Sequence, residues 1–244
     1  MFKKLKDFVQ PLAKTPFHPQ WLVSGRGGKL LTYLRDIDEG SVVLDIGCFD
    51  KWPKAFIPKS CVYYGLDYYE TAKNWYETVP DLYGDALQLP LQNESINAIL
   101  LLDVLEHIPN SDILLEEAKR TLTPGGALIM QVPFLYPLHD EPRDFFRITA
   151  HGFKALAQAH GFTVEECNAV GHPLETSALL SNIAMSKTII GWMKAKNPAA
   201  ILVLLLPPFV LLTNIFSRML ALISKKDNFM PLSYQLIFKK NPSD

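Results

Sequence analysis

Five near-continuous apolar runs decide most of what this chain can become: VVLDI (42–46), CVYYGLD (61–67), DLYGDA (81–86), SINAILLLDV (95–104) and ALIMQVP (127–133). Apolar runs of this kind read as strands covered on both faces, as in a parallel sheet. Helical stretches alternate with them. SDILLEEAKRTL sets Leu114, Leu115, Ala118 and Leu122 on one face, with Ser111 as the expected N-cap. GKLLTYLRDI leads into the first run, and TAHGFKALAQAHG ends at Gly161 ahead of the strand FTVEECNAV. PLSYQLIFKK (231–240) is the last strand. TPGG (123–126) predicts a tight turn, Pro124 fixing φ and Gly125 able to take a positive one. The alternation predicts an open, doubly wound α/β sheet with right-handed crossovers. Its functional crevice lies at the carboxyl ends of the strands.

Composition narrows the class. With 244 residues, 48% of them hydrophobic, the chain holds one large α/β domain or one domain with an insertion. A net charge of −1 gives no positive field for nucleic acid. Cys48, Cys61 and Cys167 are too few for a disulfide framework and lack metal-ligand spacing, so a reducing cytoplasm is expected and no metal is. At the N-terminus Phe2, Leu5, Phe8 and Val9 recur at helical spacing among Lys3, Lys4 and Lys6, without the apolar core of a signal peptide. This segment is expected to be a basic interfacial helix. The expected division is an appendage at 1–25, a main domain at 26–171 and 228–244, and a hydrophobic helical insertion at 172–227.

The residues that close the strands carry the chemistry. Asp45 and Gly47 close the first run, Asp67 the second, Asp85 the third and Asp103 the fourth. A single aspartate after a strand is commonly a turn former or cap. Four at one rim point to a ligand. An acid ending the second strand can accept both hydroxyls of a ribose, and Tyr68 beside it can lie against a base.

The order LDIGC, GLD, GDALQLPL, DVLEHI, LTPGG and a final strand resembles the class I S-adenosylmethionine-dependent methyltransferases, most closely the type 11-like branch with VLEH after the fourth strand. The resemblance covers roughly residues 25–170 and resumes in PLSYQLIFKK. It implies a Rossmann-like, seven-stranded, mostly parallel sheet with an antiparallel last strand, and S-adenosyl-L-methionine as cofactor. By position, Asp45 and Gly47 would meet the methionine moiety, Asp67 the ribose and Tyr68 the adenine. Asp85, with the backbone of Ala86, would meet the adenine amino group. Leu102 and Asp103 would face the methionine portion, and His107 would close the pocket.

One departure stands out. Phe49 and Lys51 occupy the places of the family's second and third glycines. The Phe49 ring must point away from the methionine tail or it fills the site, although an aromatic face near a sulfonium can attract its charge. A non-catalytic, scaffold-type member of the fold, with a loop that no longer accepts the cofactor, is the alternative. A nicotinamide-dependent oxidoreductase needs G-x-G-x-x-G, of which GCFDKW has only the first glycine.

VPFLYPLHDEPRDFFRIT (132–149) reads as a loop on the crevice side that holds Tyr136, His139, Asp140, Glu141, Arg143, Asp144 and Arg147. Its Tyr-Pro-x-His…Asp-x-x-Arg pattern also resembles the same methyltransferase branch. His139 is the expected base for a hydroxyl acceptor, because imidazole titrates near neutrality. Asp144 would orient it or serve as the base instead, Arg143 and Arg147 would hold an anionic group, and Tyr136 would contact the acceptor.

Residues 199–217 carry no charge, but Pro207 and Pro208 interrupt them, and lysines or arginines flank both ends: Lys194, Lys196, Arg218, Lys225 and Lys226. If PLSYQLIFKK rejoins the sheet, the insertion must return to the side it left. Two half-helices bent at the prolines are expected to dip into one leaflet, giving membrane contact through 199–223 and the N-terminal helix. The alternatives are a helical pair capping the domain and a homo-oligomer interface. The expected substrate is a small molecule or a lipid-linked one, on the cytoplasmic face of the membrane.

Overall fold

The computed structural model describes residues 12, 14–23, 28–225 and 227–241. The basic N-terminal helix expected over Phe2–Val9 lies outside the described residues. In chain order the elements are α1 (Leu30–Arg35), β1 (Val42–Ile46), β2 (Val62–Asp67), β3 (Leu82–Tyr83), β4 (Ile96–Leu102), α2 (Ser111–Thr121), β5 (Leu122–Pro133), α3 (Ala150–Ala159), β6 (Phe162–Val170), α4 (Pro173–Lys194), α5 (Leu206–Ile223) and β7 (Ser233–Lys240). Short 3₁₀ turns stand at Trp52–Ala55, Leu105–His107 and Pro198–Leu205, and a π-turn at Thr71–Tyr76.

The sheet runs in the order β3-β2-β1-β4-β5-β7-β6. β1 pairs in parallel with β2 and β4, β2 with β3, and β4 with β5, while β7 runs antiparallel to β5. This is the Rossmann-like, doubly wound sheet with a reversed last strand. Alternation along the strands builds two cores. Leu44, Ile46, Ile99 and Leu101 pack with Leu114, Leu115 and Ala118 of α2 and Phe153 of α3. Val43, Ala98 and Leu100 face the other way, against Leu30 and Leu34 of α1. Each fully buried leucine contributes about 2 kcal/mol through removal from water. The strand order reverses between β1 and β4, which places the crevice there.

Several boundaries differ from the sequence expectation. Asn110, not Ser111, caps α2: its side chain accepts from the Ile113 amide at 3.1 Å, and Ser111 is the first helical residue. DLYGDA forms only a two-residue edge strand, because Asp85 folds back to accept from the Leu87 amide at 2.9 Å. β4 stops at Leu102 because Asp103 turns to φ 57°. TPGG lies inside β5 as a bulge: the register passes from Ile96↔Leu122 directly to Ala98↔Ala127, with Gly125 at φ 73°.

The chain divides into two compact units. The described residues of Gly27–Phe134, Leu138–Ala169 and Ser233–Asp244 make up the sheet unit. The described residues of Met1–Arg26 join Leu135–Pro137 and Val170–Leu232 in a helical unit. There, Pro207 and Pro208 sit in the first turn of α5, where a missing N–H costs nothing, so they start a helix after the 3₁₀ turn. α4 and α5 are joined through a buried network. Asn182 Nδ2 donates to Asn214 Oδ1 at 2.9 Å, Thr213 Oγ1 to Asn182 Oδ1 at 2.6 Å, and Asn214 Nδ2 to the Pro16 carbonyl at 2.7 Å. Arg218, expected as a flanking charge, donates to buried Glu175 at 2.9 Å. Among the described residues, Pro198–Ile223 is the one helical stretch long and apolar enough to cross a membrane. β6 and β7 are neighbours in the sheet, and the Leu232 amide donates to the Val170 carbonyl at 2.8 Å, which brings the two ends of the insertion together.

Candidate functional site

The first strand ends in a sharp turn. Gly47 takes φ 71°, and a Cβ there would meet Val104 Cγ2 at 2.5 Å. The Gly47 amide donates to the Leu66 carbonyl at 2.8 Å. Phe49 (φ 43°) and Lys51 (φ 60°) both hold left-handed backbone, so the loop keeps a glycine-type path without the glycines. The close packing that a third loop glycine would give comes from the facing strand instead. A Cβ on Gly65 would meet Cys48 Sγ at 2.7 Å and Lys51 Cε at 3.2 Å. Lys51 crosses that glycine to pair with Asp81 at 2.7 Å. The Phe49 ring is half exposed and lies edge-on against Tyr76.

Asp45 is 3% exposed and accepts from the Tyr63 hydroxyl. Burial pushes its carboxyl up to about 7, with the Tyr63 hydrogen bond pulling the other way. Asp67, also buried, accepts at Oδ1 from the Tyr68 amide and the Thr71 hydroxyl, both at 2.8 Å. Tyr68 is half exposed. Asp85 is exposed beside buried Ala86. Leu102 is partly buried at the end of β4, and Asp103 Oδ2 accepts from Gln131 Nε2 at 2.8 Å. Asp45 lies next to the end of β1, Asp67 ends β2 and Asp85 follows β3, so the three acids sit at or just beyond the carboxyl ends of three adjacent strands.

The loop after β5 divides. Tyr136 falls in the helical unit, where its hydroxyl accepts from Gln20 at 2.6 Å, while the other expected residues of this loop belong to the sheet unit. The rest gathers in the sheet unit. Arg143 lies over the rings of Tyr68 (5.4 Å) and Trp75 (5.2 Å) and pairs with Glu70 at 2.5 Å. Tyr76 donates to Asp140 at 2.8 Å. Arg147 clasps Asp144 with two hydrogen bonds, 2.5 and 2.7 Å, and holds its carboxyl down at about 2. Asp144 Oδ2 in turn accepts from the His139 amide at 3.0 Å and lies 3.3 Å from His139 Nδ1.

Sequence reasoning passed over Glu106. It sits between Leu105 and His107, fully buried, with no hydrogen-bond partner on either carboxylate oxygen. Burial pushes it up to about 8. The Nε2 atoms of His107 and His139 each lie 3.8 Å from its Oε1, and the two imidazoles meet edge to face at 4.8 Å. The signal was the VLEH string, where a carboxylate and an imidazole stand side by side directly after a strand.

A methyltransferase-domain family model matches residues 22–167, more than half of the chain. A protein of Mycolicibacterium smegmatis (strain ATCC 700084 / mc(2)155), named "Probable S-adenosylmethionine-dependent methyltransferase/", is 28% identical over 146 residues, 54% of this chain and 56% of that protein. The chain therefore spans little more than half the length of this curated relative. Among solved structures, the [4+2]-cyclase SpnF matches with a TM-score of 0.54 at 15% identity, covering 98% of this chain and 94% of the other. Haemonchus contortus phosphoethanolamine N-methyltransferase 2, in complex with S-adenosyl-L-methionine, matches with a TM-score of 0.50 at 15% identity, covering 97% and 60%. At such identities the likeness is one of fold. The family match and the seven-stranded sheet together show that the chain belongs to the methyltransferase domain family, in the class I S-adenosylmethionine-dependent group.

Proposed function

We propose that the protein methylates a hydroxyl group on an acceptor carried at an apolar or membrane surface. S-adenosyl-L-methionine, the cofactor of this family, supplies an electrophilic methyl group. The donor set fits it. Asp67 at the end of β2 would take the ribose hydroxyls, half-exposed Tyr68 the face of the base, and Asp85 with the Ala86 backbone the adenine amino group. Asp45, Gly47, Leu102 and Asp103 would border the methionine portion.

The observation that carries the acceptor class is the His139–Asp144–Arg147 chain. Arg147 fixes Asp144, whose Oδ2 accepts from the His139 amide and lies 3.3 Å from Nδ1, so that carboxylate would stabilise the imidazolium formed when His139 Nε2 takes a proton from a hydroxyl. Arg147 then acts through Asp144, and Arg143 contacts the cofactor side through Tyr68. In-line displacement needs little further chemistry from the chain beyond alignment and exclusion of water.

The apolar acceptor is argued from the helical unit. Leu204 (71% exposed), Leu212 (67%), Leu222 (74%) and Ile223 (82%) leave a large apolar surface uncovered. A surface of that kind suits a lipid interface or a lipid-linked substrate.

Methyl-labelled cofactor incubated with the protein and total lipid extract, beside a water-soluble extract, tests the reading. Label entering the organic phase, and lost with His139→Ala, is the expected result. Label appearing only in the aqueous phase contradicts the apolar acceptor. No transfer by protein that binds the cofactor contradicts methylation of either class.

A further inference from the structure

We propose that Glu106, His107 and His139 form a binding site for one divalent transition-metal cation. Their ligand atoms all lie within 4.8 Å of one another. The surroundings of the two histidines place both rings at it. His107 Nδ1 lies 2.5 Å from the Arg143 carbonyl, so that nitrogen carries the proton and donates. His139 is placed through its backbone amide, which donates to Asp144 Oδ2 at 3.0 Å, with Nδ1 lying 3.3 Å from the same oxygen and Arg147 fixing that carboxylate. Both rings bring Nε2 to 3.8 Å from the same Glu106 oxygen. Histidines that ligate metals commonly have their other nitrogen tied to a carbonyl or carboxylate, as His107 Nδ1 is to the Arg143 carbonyl.

Glu106 gives the independent observation. Its carboxylate is fully buried, and neither oxygen has a hydrogen-bond partner. A buried acceptor left unsatisfied costs free energy that a bound cation would remove. Two imidazoles and one carboxylate form a borderline donor set, which selects zinc, manganese, iron or cobalt over magnesium and calcium. Three protein ligands leave coordination positions open.

The place of the site gives its use. Glu106 and His107 lie on the turn after β4, and His139 on the loop after β5, both at carboxyl ends of adjacent parallel strands. This role deepens the methylation reading and rests on it, although cation binding itself does not. A hydroxyl oxygen of the acceptor would complete the coordination, and its O–H bond would break with the proton passing to solvent. The new O–C bond forms as the S–C bond breaks, and that electron pair stays on sulfur as the thioether. The cation keeps its oxidation state. His139 then serves as a ligand, and the cation takes over the acidification of the hydroxyl.

Cobalt(II) titration of chelator-treated protein, followed by its visible absorption, tests the site directly. The same samples are titrated with S-adenosylhomocysteine. The expected result is one equivalent of cobalt bound by wild type, with at least about tenfold weaker binding in Glu106→Gln, and about 10–100-fold weaker binding in Asp144→Asn. Both variants should still bind S-adenosylhomocysteine, which shows that they are folded. A wild-type protein that binds the nucleoside but shows no cobalt spectrum overturns the proposal. Cobalt binding of equal strength in Glu106→Gln also overturns it, by placing the cation elsewhere. Failure of nucleoside binding with the cobalt spectrum intact counts against the methylation reading alone.

Discussion

The Phe49 ring stands edge-on to Tyr76, centroids 5.2 Å apart and planes at 86°, while its own backbone sits at φ 43°. The residue that takes the place of a loop glycine therefore keeps the glycine's path and packs its ring onto the segment after β2. Phe49→Ala and Phe49→Gly remove the same ring contact, but only glycine relieves the left-handed backbone. The glycine variant is predicted to be more stable than the alanine variant by about 1 kcal/mol. Urea unfolding of the pair measures it, and equal midpoints would show that the loop holds no strain.

Arg147 donates twice to the Asp144 carboxylate, whose side chain is only 1% exposed. Arg147→Ala leaves Asp144 buried without its main partner, and the predicted loss is about 3 kcal/mol. The measurement is the denaturation midpoint. A loss below about 0.5 kcal/mol would mean that Asp144 finds water or another donor.

Asp45 gives stability a defined pH dependence. Its folded carboxyl lies at about 7 against an ordinary value of 3.8, so the folded state binds this proton more tightly than the unfolded state. The stability from that preference is fully present below pH 3.8 and is lost as pH rises through about 7. The full swing is on the order of 4 kcal/mol. Asp45→Asn is predicted to gain relative to wild type across this window. The check is ΔG of unfolding from pH 4 to 8 for both proteins without ligand. Parallel curves would contradict the assignment.

The exposed apolar side chains of α5 predict lipid binding. Wild-type protein should co-float with anionic phospholipid vesicles, and Phe216→Glu with Ile223→Glu should abolish flotation. These positions are 64% and 82% exposed, so the thermal midpoint should stay within a degree or two, as expected for surface changes outside the core. Flotation unchanged by the double substitution would assign the lipid contact to another surface.

The sheet and the acids at its strand ends were legible because both depend on local pattern: apolar runs, the first four of them closed by an aspartate. Cap and turn details were less so. Asn110 and Ser111 can each cap a helix, and only the backbone geometry chooses Asn110. TPGG keeps its turn residues, but flanking register turns it into a bulge within β5. VLEH places Glu106 beside an imidazole, but its full burial was not legible, since Arg143 and Phe145 fold back over the Leu105–His107 turn. Tyr136 looked equivalent to His139 in one loop, yet the chain passes from one unit to the other between them.

The central claim is an intact adenosine site despite Phe49 and Lys51. Calorimetric titration with S-adenosylhomocysteine, on wild type and Asp67→Ala, tests it most directly. The account predicts micromolar binding by wild type, weakened by about 100-fold or more in the variant, as expected when a charged hydrogen-bond partner is lost. Folded wild-type protein that shows no binding would contradict it and place Phe49 across the cofactor's path.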